Sequence, residues 1–488
     1  MGGSLKTAYE SIIGAGYQVS PEAFSLLEGS KSPELVAGRL LKMLEIAPEK
    51  PFIIEGRHVE DLLDADRRPG EMKQEEVPAV DAPSVRVISG YQSVQIEGTI
   101  NDFKAHFINR FESLERILKS RADLKDATGV SSIIEGSKWR KVKIIGMVMS
   151  KREFKTGSTL VTLEDTLGSV EVIFKSHLKE KASRLLMDEV VCVLGFTKNG
   201  RSIIAEDAVW PEISPKIRSA NSRKEEYAVM TSDLHIGSKL FMKENFESFI
   251  NWIRGESGEE ATREIAVKTK YLIIAGDLVD GVGVYPNQEE ELLVKDLNKQ
   301  YEQAAEYLTM VPPNIKIIII PGNHDACRPT MPTPPIYKEY AGPIYSMKNV
   351  VMLGDPAYVD LDGVTFLLTH GRSLDDTIPA LPNCSFKEPQ KAMVELLRSR
   401  HLAPIYGEKT PLAPEHQDRL VIETVPDVFQ AGHVHTWGVT EYRGVIVANC
   451  GTWQAQTNYQ LSMGIEPMPG VVPVVNLATF KATTLKFV

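Results

Sequence analysis

Five short stretches carry side chains able to bind hard or borderline metal cations: Asp233-Leu-His235, Gly276-Asp277-Leu-Val-Asp280, Gly322-Asn323-His324-Asp325, His370-Gly and Gly432-His433-Val-His435. Carboxylate, amide-oxygen and imidazole donors suit manganese, iron, zinc or similar ions, and soft thiolates are missing from the set. A carboxylate can bridge two cations. Two ions roughly 3.5–4 Å apart can activate a water and stabilise the leaving oxygen of a phosphoester. Each stretch alone has a plain structural reading. Asp233-Leu-His235 could be a capped turn, Gly276-Asp277 a helix cap, Asn323-His324-Asp325 a surface loop, and His433-Val-His435 two surface histidines. What sets those readings aside is recurrence, with one stretch directly after each of five apolar runs.

Those runs are YAVMTS, YLIIAGD, IKIIIIPG, VTFLLTHG and DVFQAGH, and GVIVANCG follows them. Near-continuous apolar strands predict sheets covered on both faces. Helical stretches such as ENFESFINWIR lie between them. In open α/β sheets, ligand sites form at the carboxyl ends of strands, where all five stretches fall. Glycines before Asp277, Asn323 and His433 are expected to let the backbone turn sharply and bring ligands inward. An extended His433-Val434-His435 would point both imidazoles to one side, each facing a different ion, with Val434 turned into packing.

The rest of the chain must carry and place this unit. Over 1–65, apolar positions recur at helical spacing, and Leu35, Val36, Arg39, Leu40, Met43 and Leu44 form one stripe. Ser20-Pro21-Glu22 and Ser32-Pro33-Glu34 read as helix starts, so a small helical N-terminal module is expected. Residues 66–93 are charged, proline-bearing and poor in large apolar groups, and read as a flexible linker. Phe103, Phe107, Phe111, Leu114, Ile117 and Leu118 then fall on one face of a helix. From Trp139 to Trp210 short β-rich segments alternate with turns, Asn199-Gly200 being the strongest hairpin signal. Helix and strands over 94–213 predict a domain built on an OB-fold β-barrel. Lys151, Arg152, Phe154 and Lys155 are placed to touch a single strand there, or to form a solvated turn. A polar linker, 214–226, leads to an α/β domain over 227–488.

Composition narrows the classes. The chain has 488 residues, 43% hydrophobic and 25% charged, which fits several globular domains. No run approaches the roughly 18 apolar residues of a membrane span, so no membrane partner is expected. MGGSLKTAYESIIGAG lacks a signal-peptide layout, which points to the cytoplasm. The four cysteines have no C-x-x-C spacing and read as reduced thiols. A formal charge of −10 is unlike that of a protein gripping nucleic acid alone, so a partner would supply much of any such grip.

The ordered set D-x-H, G-D-x-x-D, G-N-H-D, H and G-H-x-H resembles the signature of the calcineurin-like metallophosphoesterases. The resemblance covers the last half of the chain. It implies an α/β metallophosphoesterase two-sheet sandwich holding two divalent metal ions, manganese first, with magnesium, iron and zinc as alternatives. It places Asp233, His235, Asp277 and His435 on one ion. Asp277, as the bridge, joins Asn323, His370 and His433 on the other. His324 would act on the phosphate without ligating metal, and Asp325 would orient His324. Asp280 would stand behind the ligands or cap a helix. Arg372, beside His370, and Arg328, which opens the proline-stiffened RPTMPTPPIY, are candidate phosphate contacts.

The whole layout is also similar to the small subunits of archaeal family D DNA polymerase. The segments HGRSLDD, AMVELLRSRHLAPIYGEKTPLAPE and GTWQAQTNYQ carry that likeness. It implies a 3′–5′ proofreading exonuclease and assembly subunit, a large catalytic polymerase subunit as partner, and a DNA primer 3′ end as substrate. Two other readings stand beside it. A non-catalytic scaffold suits the acidic charge. A stand-alone phosphatase or phosphodiesterase is opposed by the barrel and by the polymerase-type segments.

Overall fold

The computed structural model describes residues 3–30, 33–46, 51, 53–56, 58–59, 83–91, 96–133, 138–198, 200–216 and 224–488. They fall into two compact units, 1–81 and 82–488. The first holds helices α1 (Gly3–Gly14), α2 (Pro21–Glu28) and α3 (Pro33–Ile46), with a parallel pair of short strands, β1 (Gln18–Val19) and β2 (Ile53–Ile54). Ser20 caps α2 by accepting from the Ala23 amide at 3.2 Å, with proline next in the chain. Ile12, Leu27, Val36, Leu40 and Leu44 are buried in its core. The side chains of Leu35, Arg39 and Met43 lie outside the described ones.

The second unit begins with a departure from expectation. Val85–Gly90, placed in the linker by its composition, forms strand β3 and joins a sheet. A strand of six residues at a sheet edge gains its stability from the neighbour it pairs with, so its own composition under-reports it. Residues 66–82, 92–93 and 217–223 of the two expected linkers lie outside the described residues.

Helix α4 (Ile100–Lys119) starts on a capping box between Thr99 and Asp102. After the short strand β4 (Thr128–Gly129) come β5 (Arg140–Glu153), β6 (Thr159–Glu164) and β7 (Ser169–Phe174), the short helix α5 (Lys179–Ser183), and β8 (Val190–Thr197) and β9 (Ser202–Val209). Strands β5, β6, β7, β9 and β8 pair in that order, and β8 pairs back onto β5. The five strands therefore close a barrel compatible with an OB fold, filled by Val148, Val161, Val172, Val193 and Ile203. Lys151 donates to the Ser183 and Leu185 carbonyls at 3.1 and 2.7 Å, so it ties the barrel together. Arg152 and Phe154 stack on each other, with Phe154 still exposed.

Two six-stranded sheets follow. One has the order β13-β12-β11-β10-β19-β20, from β10 (Tyr227–Thr231), β11 (Thr269–Ala275), β12 (Lys316–Ile320), β13 (Val350–Met352), β19 (Val471–Asn476) and β20 (Lys481–Lys486). The other has the order β17-β18-β16-β15-β14-β3, with β14 (Ala357–Leu361), β15 (Val364–Leu368), β16 (Val428–Ala431), β17 (Gly438–Tyr442) and β18 (Val445–Asn449). Strand alternation divides their residues. Met230, Ile273 and Ile318 pack with Phe366, Leu368 and Ile446 between the sheets. Their neighbours Val229, Leu272 and Ile317 face outward, under helices α6 (Lys243–Ile253), α7 (Glu260–Val267), α8 (Leu297–Thr309) and α9 (Lys338–Tyr345). On the other side Leu367, Phe429 and Val447 pack under α10 (Leu374–Ala380) and α11 (Pro389–Ser399). Both faces of each central strand are thus covered, which is why those segments read as unbroken apolar runs. No helix among the described residues is long and apolar enough to cross a membrane.

Candidate metal centre

Strands β10, β11 and β12 run parallel in one sheet, and β15 and β16 run parallel in the other. Their carboxyl ends meet at one edge of the layered unit and deliver the five motifs together. Asp233, His235, Asp277, His433 and His435 all have positive φ, between 50° and 73°. Non-glycine residues rarely adopt that conformation, and it concentrates at functional sites. The expectation of an extended His433-Val434-His435 is therefore corrected. Both histidines turn inward through left-handed backbone, while Val434 is buried in the core beneath.

The glycines act in two ways. Gly276 has φ +91°, and a Cβ there would lie 2.3 Å from His370 Nδ1. Gly322 and Gly432 supply close approach instead. A Cβ on Gly322 would lie 2.0 Å from Asp277 Oδ1, and one on Gly432 would lie 2.5 Å from Asp233 Oδ2.

Side-chain donors converge in three overlapping groups: Asp233, His235 and His435; His235, Asp277 and His324; and Asp233, Asp277 and His370. His235 Nε2 and His435 Nε2 are 3.0 Å apart, and His435 Nε2 is 3.4 Å from Asp233 Oδ1. His370 Nε2 lies 3.3 Å from Asp277 Oδ2 and 3.1 Å from Asn323 Oδ1. Asp233, His235 and Asp277 are each common to two of these groups. His433 joins differently. Its amide donates to Asp233 Oδ2 at 2.9 Å and its ring packs on His370, while Nε2 meets Asp375 at 3.1 Å.

Each inward imidazole is fixed through its other nitrogen. His235 Nδ1 donates to Asp280 Oδ1 (2.9 Å), His370 Nδ1 to the Ala275 carbonyl (2.8 Å) and His324 Nδ1 to the Asp280 carbonyl (2.8 Å). The Gln460 amide pairs with His435 Nδ1 at 2.7 Å. A proton on Nδ1 leaves the Nε2 lone pair of His235 and His370 directed at the centre, the arrangement of metal-binding histidines.

These residues fit divalent cations. Asp233 Oδ1 is buried and accepts no hydrogen bond. The His370 lone pair faces two acceptor oxygens, which only a proton or a cation between them relieves. Burial opposes charge on His370, yet the adjoining Asp277 carboxylate overrides it and pushes its pKa up to about 10. Burial likewise works against ionising Asp277, but His370 and His324 hold it well below the usual carboxylate range. Burial holds the His235 pKa down. All ligand types are oxygen or imidazole nitrogen, as the sequence anticipates.

Three expectations change. Asp325 does not touch His324. Its carboxylate accepts from the amides of Gly322 (2.9 Å) and Leu278 (3.2 Å) and from the Tyr301 hydroxyl (3.1 Å). It therefore braces the loops after β11 and β12, and the Asp280 carbonyl takes the part of orienting His324. The chain turns Asp325 toward buried backbone amides that would otherwise lack an acceptor, and a carboxylate satisfies them. Burial and the nearby Asp277 together push the Asp325 carboxyl up to about 6. Arg328 is committed elsewhere: it donates to the Tyr91 hydroxyl at 2.8 Å and pairs with Glu415 at 3.1 Å. Arg372 donates to the Pro329 carbonyl, so both arginines hold loops in place.

Several residues that spacing alone did not mark also build the site. Asp375 and Asp376 both come from HGRSLDD. Asp375 meets His433, and Asp376 accepts from the Lys409 and Thr410 amides at 3.0 and 2.9 Å. GTWQAQTNYQ threads behind the motifs. Trp453 N and Thr452 Oγ1 donate to the Asp233 carbonyl, both at 2.9 Å, and Gln454 donates to Asp280 at 3.0 Å. A cavity of about 830 Å³ opens over the centre, walled by Tyr285, Phe386, Lys409 and the 457–465 segment. The one local signal for these residues is that HGRSLDD continues the His370 motif without a break; the pairings themselves are tertiary.

Residues 228–436 match a family model that describes the B subunits of DNA polymerases alpha and epsilon. The chain is 42% identical to the DNA polymerase II small subunit of Archaeoglobus fulgidus, over 96% of this chain and 95% of the relative. It is 38% identical to the protein of the same name from Methanothermobacter thermautotrophicus, over 96% of this chain and 97% of that one. The Pyrococcus abyssi counterpart is 40% identical over 81% of this chain and 64% of its own length.

Proposed function

Because the chain belongs to the archaeal DNA polymerase II small-subunit family, we propose that it is both an assembly subunit and the 3′–5′ exonuclease of a two-subunit replicative polymerase. The relatives' name implies a large catalytic subunit as partner, and the substrate would be a DNA primer 3′ end. The two-sheet unit with helices outside is read as a calcineurin-like metallophosphoesterase sandwich. One observation carries the nuclease reading: four strand ends bring Asp233, His235, Asp277, His370 and His435 into overlapping groups within ligand range, with Asp233, His235 and Asp277 each shared by two groups.

In this reading Asp233, His235, Asp277 and His435 would hold one divalent ion. Asp277, Asn323, His370 and His433 would hold the second. Such a pair, manganese in the first instance, supplies a nucleophilic hydroxide and charge stabilisation at the phosphate. The protein groups then have defined tasks. His324 is locked through Nδ1 to the Asp280 carbonyl, so Nε2 faces the cavity and can give a proton to the leaving 3′ oxygen. Asp280 and Asp375 fix the rings of His235 and His433.

The test is release of mononucleotides from a 5′-labelled single strand by the purified full chain with Mn²⁺. Asp277→Asn should abolish it. His324→Ala should lower turnover about 10²–10⁴-fold. Undiminished degradation by Asp277→Asn would assign the nuclease to a contaminant and leave the scaffold role, which the net charge of −10 favours.

A further inference from the structure

The wall of the cavity formed by residues 457–465 has a composition the ion site does not need. Tyr459, Leu461 and Met463 are 63%, 65% and 49% exposed, three large apolar side chains within five residues. Tyr459 and Met463 line the same cavity as His324, His433 and His435. Isolated exposed apolar residues are ordinary, but a cluster at the mouth of a polar site marks a contact surface.

This wall is held firmly. Its helix α12 (Asn458–Ser462) starts on a capping box, in which Thr457 Oγ1 accepts from the Gln460 amide and Gln460 Oε1 accepts from the Thr457 amide. The same Gln460 side chain meets His435 Nδ1 at 2.7 Å. On the far side, Asn458 donates to Glu291 at 3.4 Å, and the Tyr285 hydroxyl donates to the other oxygen of Glu291 at 2.7 Å. Tyr285 packs its ring edgewise on His324, with centroids 6.1 Å apart. The exposed tyrosine is thus set at a fixed offset from both the ion-facing His435 and the cavity-facing His324.

Resting on the nuclease reading, we propose that Tyr459 is a stacking platform for the base of the 3′-terminal nucleotide, a positioning residue whose contact holds the scissile phosphate over the centre. The cavity's chemistry favours a base over other occupants. A phosphate must lie at the donor cluster, and a nucleotide places its flat apolar base a sugar's width away. Aromatic stacking accepts all four bases because every base has a π face, which suits an enzyme that must remove any of them. Among the described residues, Glu290, Glu291 and Asp375 line the cavity against one lysine, Lys409, so the walls offer little to a second phosphodiester chain.

Binding of mononucleotide tests this without requiring turnover. Titration calorimetry would compare deoxyadenosine 5′-monophosphate with deoxyribose 5-phosphate on the full chain loaded with Mn²⁺. The parent protein should favour the nucleotide about tenfold or more. Tyr459→Ala should abolish that ratio while leaving deoxyribose 5-phosphate unaffected, and Tyr459→Phe should preserve it. An equal ratio in Tyr459→Ala, or a parent protein indifferent to the base, overturns the proposal. Failure of the nuclease reading looks different: base-dependent binding persists but no DNA is hydrolysed.

Discussion

Substituting Asp418 should uncouple helix α4 from the two-sheet region at a cost that the geometry sets. Asp418 Oδ2 accepts from Arg110 Nε at 2.7 Å and His401 Nε2 at 2.8 Å, and His106 Nε2 lies 3.3 Å away. Arg110 also donates to the Pro404 carbonyl at 2.7 Å, and Asp418 N donates to Asn109 at 2.8 Å. None of the four side chains is more than 2% exposed. Burial works against ionising Asp418, yet His401 and Arg110 hold its pKa well below the usual range. Burial and Arg110 push His401 down to about 4, so it donates as a neutral imidazole at physiological pH. Asp418→Ala leaves the Arg110 guanidinium buried without its anion, which costs about 3–5 kcal/mol. Against a typical domain stability of about 5–15 kcal/mol, that is a large share. Because the folded pKa is depressed, the contribution is complete above the ordinary aspartate range near pH 4 and fades as pH falls below it. Urea denaturation of the full chain should show the loss at pH 7. Arg110→Met combined with Asp418→Leu should recover much of it, since apolar groups of similar volume replace buried pairs at little cost. A loss under about 1 kcal/mol for Asp418→Ala, or a double change as damaging as the single, would refute this reasoning.

Asp325→Ala removes the acceptor of two buried amides and a hydroxyl and should lower Mn²⁺ affinity by about 10–100-fold in calorimetry; unchanged affinity would remove it from the support of the centre. Gly322→Ala would set a methyl group 2.0 Å from Asp277 Oδ1, so ion binding should fail while the circular-dichroism spectrum stays native. In the barrel, burial pushes the Glu189 pKa up to about 8, where Trp210 donates to it at 3.0 Å. The folded state then keeps a proton that the unfolded chain releases near its ordinary value of 4.5, so stability should fall as pH rises from about 4.5 to about 8. Glu189→Gln should flatten that decline when unfolding is followed by tryptophan fluorescence.

The residues of the candidate centre were legible in the sequence because each motif sits directly after a strand whose apolar period survives burial. Asp233, Asp277, Asn323, His370 and the His433–His435 pair all lie within four residues of a strand end. What lay hidden depends on chain reversals. Asp375 meets His433 across 58 residues and Gln454 meets Asp280 across 174, and no local pattern marks such pairs. Backbone conformation was equally hidden: the left-handed φ at His433 and His435 goes with a tertiary hydrogen bond, from the His433 amide to Asp233, that no local pattern marks. Arg328 looked available for phosphate because its partners, Tyr91 and Glu415, are 237 and 87 residues away. His106 and His401 fit no local motif, and they belong to the buried Asp418 cluster for the same reason. β3 escaped because its pairing partner β14 is supplied from more than 250 residues further along the chain.

The central claim is that these strand ends form a two-ion centre with Asp277 between the ions. Metal analysis of the purified full chain, equilibrated with Mn²⁺ and desalted, addresses it directly. The account predicts two manganese ions per chain in the parent protein and a loss of at least one in Asp277→Asn, with the fold intact by circular dichroism. A parent protein that retains no metal, or an Asp277→Asn variant that still retains two, would contradict it.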